Sequence, residues 1–321
     1  MALTYDPEYF KVLEPMLPIL ATQPVLAVHD IKGRRERLKA FFDNSNIPPA
    51  QGVSIEKLTI KSYDGADIDV FHIAPENSTL SGKATSAYIH AHGGGFISGS
   101  AQMFSIAVAL TVATTQIPFF SIEYRKAPEH THPTAAEDIY AALEWLQKNA
   151  ATFNIDSARI GITGESAGGG LAAAVAIMAR DRKLSPPLAK QVLIYPMLDD
   201  RNLKPIDGLD HLAFWKAADN VTGWTALLGD QVAGEEGVSE YASPARVAVV
   251  EGLPSLYVDV GGLDILKAEV LEYALRFAKA GISTECHLYP GLPHGWEAVA
   301  PQISATIKAT ENRLRAYTSI S

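Results

Sequence analysis

The chain has 321 residues, of which 47% are hydrophobic and 20% charged, as in a globular protein with one large domain or two small ones. Its formal net charge of −9, without a long basic tract, excludes a nucleic-acid partner that is held through its phosphates. The single cysteine, Cys286, excludes an intrachain disulfide, and the alternating sequence around it predicts a buried, inert thiol.

The first fifty residues carry helical patterning before any strand signal. Apolar residues recur at helical spacing, namely Leu13, Met16, Leu17 and Leu20. The basic run 32–37 is broken by glycine and glutamate, which predicts a solvated helix face. The N-terminus lacks the basic region and apolar core of a signal peptide, so we expect a cytoplasmic protein. Segment 1–50 is therefore predicted to be an N-terminal helical extension.

From residue 51 onward, strand and helix patterns alternate. Asp64-Gly65 predicts a hairpin turn, and the later alternation predicts a parallel sheet with right-handed crossovers. Residues 102–122 carry no charge, but Pro118 and several polar residues favour a buried helix and a strand over a membrane span, so no stable membrane insertion is expected. The predicted strands are 54–62, 68–73, 86–91, 119–124, 159–163, 191–195, 255–260 and 285–289, and the helices are 101–114, 135–149, 167–180, 267–280 and 304–317.

Residues 196–253 interrupt this alternation. They show no clear strand, and helical patterns occur only at 209–218 and 222–228. Because the interval is too long for a loop of a compact domain, we interpret it as an insertion. The remaining segments, 51–195 and 254–321, then form an α/β core with a mostly parallel central sheet flanked by helices.

The segment Gly164-Glu165-Ser166-Ala167-Gly168 lies between a predicted strand and a predicted buried helix. In this context the G-x-S-x-G pattern is typical of the nucleophile elbow of α/β-hydrolases. Glycines at both ends let strand and helix approach closely, and the sharp turn strains the serine backbone. The pattern predicts that the Ser166 hydroxyl projects at the carboxyl end of the sheet, beside a helix N-terminus that favours negative charge.

A second glycine-rich segment, His92-Gly93-Gly94-Gly95, directly follows the strand 86–91. Consecutive glycines expose backbone N–H groups, which are the donors that a tetrahedral oxyanion requires. We assign the N–H groups of Gly94, Gly95 and Ala167 to an oxyanion hole. His92 itself is interpreted as a hydrogen-bonding residue that fixes the loop.

A serine nucleophile needs a base, which in this fold follows it in the chain. Three histidines follow Ser166. His211 lies in the insertion, and His287 lies within the last predicted strand. His294 lies in a loop just past the carboxyl end of that strand, from which it can reach the top of the sheet, so we predict that it is the base.

The orienting carboxylate is expected after the preceding strand. Asp259 lies within that strand and could be a structural carboxylate, whereas Asp264 lies just beyond it and ahead of a helix, so Asp264 is the better candidate. Glu165 adjoins the nucleophile, but adjacent residues diverge at a turn. We therefore give Glu165 a supporting role among the residues that contact the substrate.

Several blocks in order make the chain resemble the hormone-sensitive-lipase-like, bacterial family IV type of α/β-hydrolase esterase. The resemblance runs from about residue 55 to the end. The blocks are His92-Gly93-Gly94-Gly95, Tyr124-Arg125-Lys126-Ala127-Pro128-Glu129, Gly164-Glu165-Ser166-Ala167-Gly168-Gly169, Tyr241-Ala242-Ser243-Pro244, Asp264 and His294-Gly295.

The resemblance implies a triad of Ser166, Asp264 and His294 under a helical cap. Cap helices would come from segment 1–50, and the cap insertion would be 196–253. It also allows a homodimer through the sheet edge near residues 285–289. The chain departs from the usual pattern modestly, with Glu165 where the family has Asp, Ile265 where Pro is common and Lys126 where Leu is usual.

Together these patterns predict a serine carboxylesterase that acts on a small-molecule ester through an acyl-enzyme, without metal or cofactor. Phe96 beside the oxyanion loop and Phe214, Trp215 and Trp224 of the insertion predict an apolar pocket for short- to medium-chain acyl groups, or else they only pack the cap. Two alternatives remain: a lactone or amide hydrolase with the same triad, and a non-catalytic small-molecule receptor of the same fold.

Overall fold

The computed structural model describes residues 3–45, 47–76, 82–230 and 232–320. Within these ranges the strands form one eight-stranded sheet in the order β1-β2-β4-β3-β5-β6-β7-β8. The strands are β1 Val53–Lys61, β2 Asp67–Pro75, β3 Thr85–Ala91, β4 Phe119–Ile122, β5 Ile155–Glu165, β6 Lys190–Ile194, β7 Ser255–Gly261 and β8 Thr284–Tyr289.

The sheet is antiparallel only at its β1 edge. β1 pairs antiparallel with β2, and β2 pairs antiparallel with β4, whereas the pairs from β4 to β8 are parallel. The hairpin turn depends on Gly65, whose φ of 84° lies in the left-handed region that glycine favours. The predicted α/β class with a mostly parallel sheet is confirmed.

Helices flank the sheet, and α6 lies at its centre. Almost all residues of α6 are buried, because its alanines and glycines let it pack closely against β5 and β3. In the described part of the chain, every helix is too short or too polar to span a lipid bilayer. The helices are α1 Pro7–Leu13, α2 Leu17–Thr22, α3 Ile31–Asp43, α4 Ala101–Thr115, α5 Thr134–Asn149, α6 Ala167–Asp181, α7 Ala217–Leu228, α8 Lys267–Lys279, α9 Trp296–Val299 and α10 Ser304–Thr318.

The predicted helix at 209–218 is wrong. Residues 207–212 form turns, and α7 begins only at Ala217. The start is set by Asp219, whose carboxylate accepts a hydrogen bond from the Lys216 N–H at 3.0 Å. Lys216 has extended backbone angles, so the helix cannot continue toward the N-terminus.

The N-terminal segment differs from its predicted patterning in two respects. Only Leu13 of the apolar stripe is buried, while Met16 and Leu17 are exposed, because a 3₁₀ turn at Glu14–Met16 interrupts the helical periodicity. The basic run is not a fully solvated face, because Arg34 is only 6% exposed. Its guanidinium pairs with Asp219 of α7 at 2.9 Å, which compensates the buried charge.

Contacts between segment 1–50 and the insertion are not confined to this ion pair. The His29 N–H donates to the Thr222 hydroxyl at 3.0 Å, and the Tyr5 hydroxyl donates to the Leu212 carbonyl at 2.9 Å. Segment 1–50 and the insertion 196–253 therefore pack against each other.

The prediction of a buried thiol at Cys286 is wrong. Cys286 lies on β8, which is an edge strand in the sheet order, and its side chain is exposed. The predicted strand at 285–289 is confirmed as β8. An edge strand, however, leaves one face with less cover.

Candidate active site

The chain turns abruptly from β5 into α6 at Ser166. Ser166 has φ 56° and ψ −121°, a strained conformation for a residue with a Cβ atom. The Ser166 N–H donates to the Ile194 carbonyl at 2.9 Å, and its carbonyl accepts from the Met197 N–H at 2.9 Å, which anchors the turn to β6 and the segment after it. Backbone hydrogen bonds at both the N–H and the carbonyl of Ser166 therefore maintain the strained conformation.

Gly164 and Gly168 make this turn sterically feasible. A Cβ atom on Gly164 would overlap the Gly168 carbonyl, and one on Gly168 would overlap the carbonyls of Ala91 and His92. The close approach of β3, β5 and α6 thus requires glycine at both positions, as the sequence pattern predicted.

Two loops from neighbouring strands bring a carboxylate and an imidazole to Ser166. His294 Nε2 lies 2.9 Å from Ser166 Oγ, and His294 Nδ1 lies 2.6 Å from Asp264 Oδ2. Asp264 is fully buried, and its Oδ1 also accepts the Leu266 N–H at 2.9 Å. The structure therefore brings together the three side chains that the sequence analysis selected.

The meeting of these loops depends on the end of β7. The Leu263 N–H donates to the Leu292 carbonyl at 2.9 Å, which ties the loop after β7 to the loop after β8. A Cβ atom on Gly261 would overlap the Leu292 carbonyl, so this approach also requires a glycine. The resulting contact places the Asp264 side chain beside the ring of His294.

The second glycine-rich segment forms a tight turn beside the elbow. Gly94 has φ 129° and Gly95 has φ 61°, and their N–H groups donate to no acceptor within the described ranges. A Cβ atom placed on Gly93 would lie 3.5 Å from the Ser166 Cβ, which locates this segment next to the serine. The Ala167 N–H is at the first position of α6, where no intrahelical acceptor exists. The three amides are thus free to donate to a bound group.

His92 is buried behind this turn rather than directed at the serine. Its Nδ1 lies 2.7 Å from the Gly93 carbonyl, and its ring stacks on Tyr124 with centroids 4.3 Å apart. The Tyr124 hydroxyl donates to the His92 carbonyl at 2.7 Å. Burial, and then repulsion from Lys126, holds the pKa of His92 well below its usual value, so the imidazole is neutral. These contacts fit the predicted role of fixing the loop.

The competing carboxylate, Asp259, has a different set of partners. Arg313 donates to both oxygens of Asp259, at 2.7 and 2.9 Å, and the Tyr257 hydroxyl donates at 3.0 Å. Among the other histidines, His287 pairs with Glu285 at 2.6 Å and His211 is exposed. Asp259 is therefore a buried partner of Arg313 within the sheet.

Glu165 is directed at a histidine that the sequence analysis did not select. His90 Nε2 lies 3.1 and 3.0 Å from the two carboxylate oxygens of Glu165, and His90 Nδ1 lies 2.7 Å from the Ser121 hydroxyl. His90 is on β3 and is almost fully buried. In the sequence, the one sign of a role for His90 is its position two residues before His92. That position does not identify Glu165 as the partner of His90.

The predicted pocket aromatics do not share one environment. Trp215 lies against Gly95 and 6.3 Å from the His294 ring, and its Nε1 donates to the Asn220 side chain at 2.9 Å. Phe96 and Trp224 are buried against each other, with centroids 5.0 Å apart, and Phe214 is 39% exposed. A further aromatic, Tyr195, was not predicted and lies 4.5 Å from the His294 ring.

The parallel sheet, the strained strand-to-helix turn and the short loops at the carboxyl ends of the strands are those of the α/β hydrolases. The model of the alpha/beta hydrolase fold family matches residues 88–298 of the chain. The chain belongs to this family, and its resemblance to the hormone-sensitive-lipase-like esterases is confirmed.

Relatives support the same class. Esterase LipI of Mycobacterium tuberculosis is 32% identical over 229 residues, which cover 70% of each chain. Carboxylesterase NlhH of the same organism is 29% identical, over 95% of each chain. The solved structure of a bacterial heroin esterase has a TM-score of 0.86 and 31% identity, and it covers 98% of this chain and 97% of its own. The predicted enzyme class, a carboxylic-ester hydrolase, is confirmed.

Proposed function

We propose that the protein hydrolyses small carboxylic esters through an acyl-enzyme on Ser166. The observation that carries the proposal is the continuous hydrogen-bonded series from Ser166 Oγ through His294 to the buried Asp264, at 2.9 and 2.6 Å. A serine hydroxyl is a weak nucleophile unless a base removes its proton, and this series supplies both the base and its orienting carboxylate.

In the first half of the reaction, Ser166 Oγ attacks the ester carbonyl while His294 Nε2 takes its proton. The negative oxygen of the tetrahedral intermediate accepts hydrogen bonds from the free amides of Gly94, Gly95 and Ala167. His294 then donates its proton to the leaving alcohol, and the C–O bond breaks to give the acyl-enzyme. Asp264 keeps Nδ1 protonated throughout and stabilises the imidazolium.

In the second half, His294 takes a proton from water as the water oxygen attacks the acyl carbonyl. The same amides stabilise the second oxyanion, and the proton returns to Ser166 as the carboxylic acid leaves. Every step uses groups of this chain, and no cofactor is required.

We also propose that segments 1–50 and 196–253 form a cap over this site. The buried pair of Arg34 and Asp219 and the hydrogen bond from Tyr5 to Leu212 join the two segments. Trp215, which lies against Gly95, places aromatic surface of the insertion beside the glycine-rich turn at 93–98, here called the oxyanion turn. A homodimer through β8 and a cytoplasmic location stay predictions.

An activated serine is tested by labelling with a fluorophosphonate probe. We expect stoichiometric labelling of Ser166, located by peptide mass spectrometry, and labelling of His294→Ala slowed by about a thousandfold or more because the base is lost. Unlabelled wild-type protein would favour the receptor alternative. A panel of esters, lactones and anilides then separates the hydrolase alternatives by their kcat/KM values.

The acyl-chain preference is the next expected result. Because Trp215 lies against Gly95 and restricts the space beside the oxyanion turn, p-nitrophenyl esters of short to medium acyl chains should have the highest kcat/KM. The measurement is a series from acetate to palmitate, with Trp215→Ala to test whether the optimum moves toward longer chains. A maximum at palmitate in the wild type, with activation at an oil-water interface, would contradict the proposal.

A further inference from the structure

We infer that Arg35, in the N-terminal helix α3, is a positioning residue that holds the oxyanion turn in its donating geometry. The inference rests on the proposed function, because it assigns a role to the support of the Gly94 and Gly95 amides. Arg35 does not belong to the triad or to the amide donors. Its basic neighbourhood was expected only to face solvent.

The guanidinium of Arg35 contacts two segments of the core, one at Ile97 and one at 127–129. Its Nε donates to the Ile97 carbonyl at 2.7 Å, and one Nη donates to the Ala127 carbonyl at 3.1 Å. Both Nη atoms also donate to the carboxylate of Glu129, at 2.7 and 2.6 Å. The planar fork of arginine suits this arrangement, in which several acceptors lie at fixed angles.

Glu129 compensates the charge of Arg35. The Arg35 hydrogen bonds hold the pKa of Glu129 at about 2, so the carboxylate stays ionised at neutral pH. The neutral Ile97 carbonyl of the oxyanion turn is consequently held by a charge-balanced pair, Arg35 and Glu129. Its effect on the turn is therefore expected to be geometric, with little change in the local field.

The turn transmits this support to an amide that would bind the oxyanion. The Gly94 carbonyl accepts hydrogen bonds from the Ile97 N–H at 3.2 Å, the Ser98 N–H at 3.0 Å and the Ser98 hydroxyl at 2.7 Å. This carbonyl and the Gly95 N–H belong to the same planar peptide group. The Ile97 carbonyl that Arg35 holds shares a peptide group with the Ser98 N–H, which donates to the Gly94 carbonyl. Holding this peptide therefore restrains the direction of the Gly95 N–H.

A second element restrains the turn from the side of the insertion. A Cβ atom on Gly223 of α7 would lie 2.8 Å from the Gly95 carbonyl, so α7 is already in close contact with the turn. Arg34, adjacent to Arg35 in the chain, pairs with Asp219 of the same helix. Helix α3 is thus bonded through neighbouring arginines to both the turn and the helix that packs on it.

This arrangement explains how segments far from the triad could set its rate. The oxyanion donors must be in place before charge develops, and a small rotation of the Gly95 peptide weakens the stabilisation at no cost to substrate binding. A change at Arg35 should therefore lower kcat and leave KM nearly unchanged.

The first test compares Arg35→Gln with Arg37→Gln. Arg37 is a matched control, because it lies on the same helix and, among the described residues, donates only to the Pro24 carbonyl, at 3.0 Å. Turnover of p-nitrophenyl butyrate is expressed per active site, as titrated with a fluorophosphonate, so that a misfolded fraction does not count. We expect kcat of Arg35→Gln to fall about 10- to 100-fold, with KM within about threefold, and Arg37→Gln to match the wild type.

The inhibition constant Ki of a transition-state analogue is a readout that a general loss of folding stability does not change. A trifluoromethyl ketone forms a hemiketal oxyanion on the serine, so its Ki should rise in Arg35→Gln by about the factor by which kcat/KM falls. If Arg35→Gln kept the wild-type kcat per titrated site and the wild-type Ki, the inference would be overturned. The Arg35→Ala variant adds a rescue test, because the side chain borders an open cleft with Ile97, Ser98 and Glu129, into which added ethylguanidinium should restore part of kcat.

Gly223→Ala tests the other side of the turn and remains informative if Arg35 variants fold poorly. Alanine is the better helix former by about 1 kcal/mol, so propensity alone predicts an unchanged or raised Tm. The added methyl group must displace the Gly95 carbonyl, so we expect kcat to fall about tenfold or more with the same rise in Ki. Unchanged kcat in both Gly223→Ala and Arg35→Gln would reject a restrained turn. If Ser166→Ala kept its activity, the proposed function itself would fail instead.

Discussion

Replacing Ser166 with alanine is expected to lower kcat for p-nitrophenyl acetate by about a millionfold and to leave the fold intact. The hydroxyl oxygen is the atom that would form the acyl-enzyme, and it is the one group in the described ranges that hydrogen-bonds to His294 Nε2, at 2.9 Å. Alanine keeps the Cβ atom and the backbone hydrogen bonds to Ile194 and Met197, so Tm should be nearly unchanged.

The control for this experiment is Cys286→Ser. Cys286 is the one thiol of the sequence, and its side chain is exposed, so it is an alternative nucleophile in chemical terms. Burial of part of the side chain raises the pKa of the thiol, and we expect Cys286→Ser to keep wild-type turnover. Wild-type rates in Ser166→Ala, or a loss of activity in Cys286→Ser alone, would contradict the assignment.

Asp264→Asn is expected to lower kcat by about 10⁴-fold, which is the second largest effect. The amide is nearly the same size, but it cannot hold the His294 tautomer that leaves Nε2 free to accept the serine proton. The Asp264 carboxylate lies 2.6 Å from His294 Nδ1 and is fully buried, so bulk water cannot stabilise the His294 imidazolium in its place. The measurement is kcat per titrated site across pH.

Asp259→Asn provides the matched comparison, because Asp259 was the competing carboxylate. It is equally buried but accepts hydrogen bonds from Nε and one Nη of Arg313. Removing its charge leaves a buried guanidinium undercompensated, so the free energy of unfolding should fall by about 3 kcal/mol or more, while kcat per titrated site stays within a few fold. A reversal of the two phenotypes would exchange the roles of the two aspartates.

The wild-type site also has a supporting pair whose importance the sequence did not indicate. Glu165 was expected to help bind substrate, yet its carboxylate contacts His90 beneath the elbow at 3.0 Å. The side chain of a residue that adjoins a nucleophile can turn toward either the substrate or the sheet. That direction depends on what β3 presents to it, and 75 residues separate the two partners.

Prediction from sequence succeeded where the signal is local. The core strands are short apolar runs bounded by turn residues, and the elbow needs glycines at fixed offsets from one serine, so both leave a pattern within a few residues. Prediction failed for the helix at 209–218, because the apolar spacing there does not show that Lys216 and Asp219 cap the helix start. Local periodicity does not record where a helix is capped.

By itself, the sequence determined the order of strands and helices, the position of the elbow and the order of serine, carboxylate and histidine along the chain. Only the tertiary structure decided that Glu165 meets His90, that Arg34 is buried and that Arg35 reaches the oxyanion turn. Each of these depends on partners far apart in the chain, such as Arg35 and Ile97 at a separation of 62 residues or Glu165 and His90 at 75. Side-chain chemistry defines which pairs could form, but the packing of α3, α7 and the sheet selects the pairs that do.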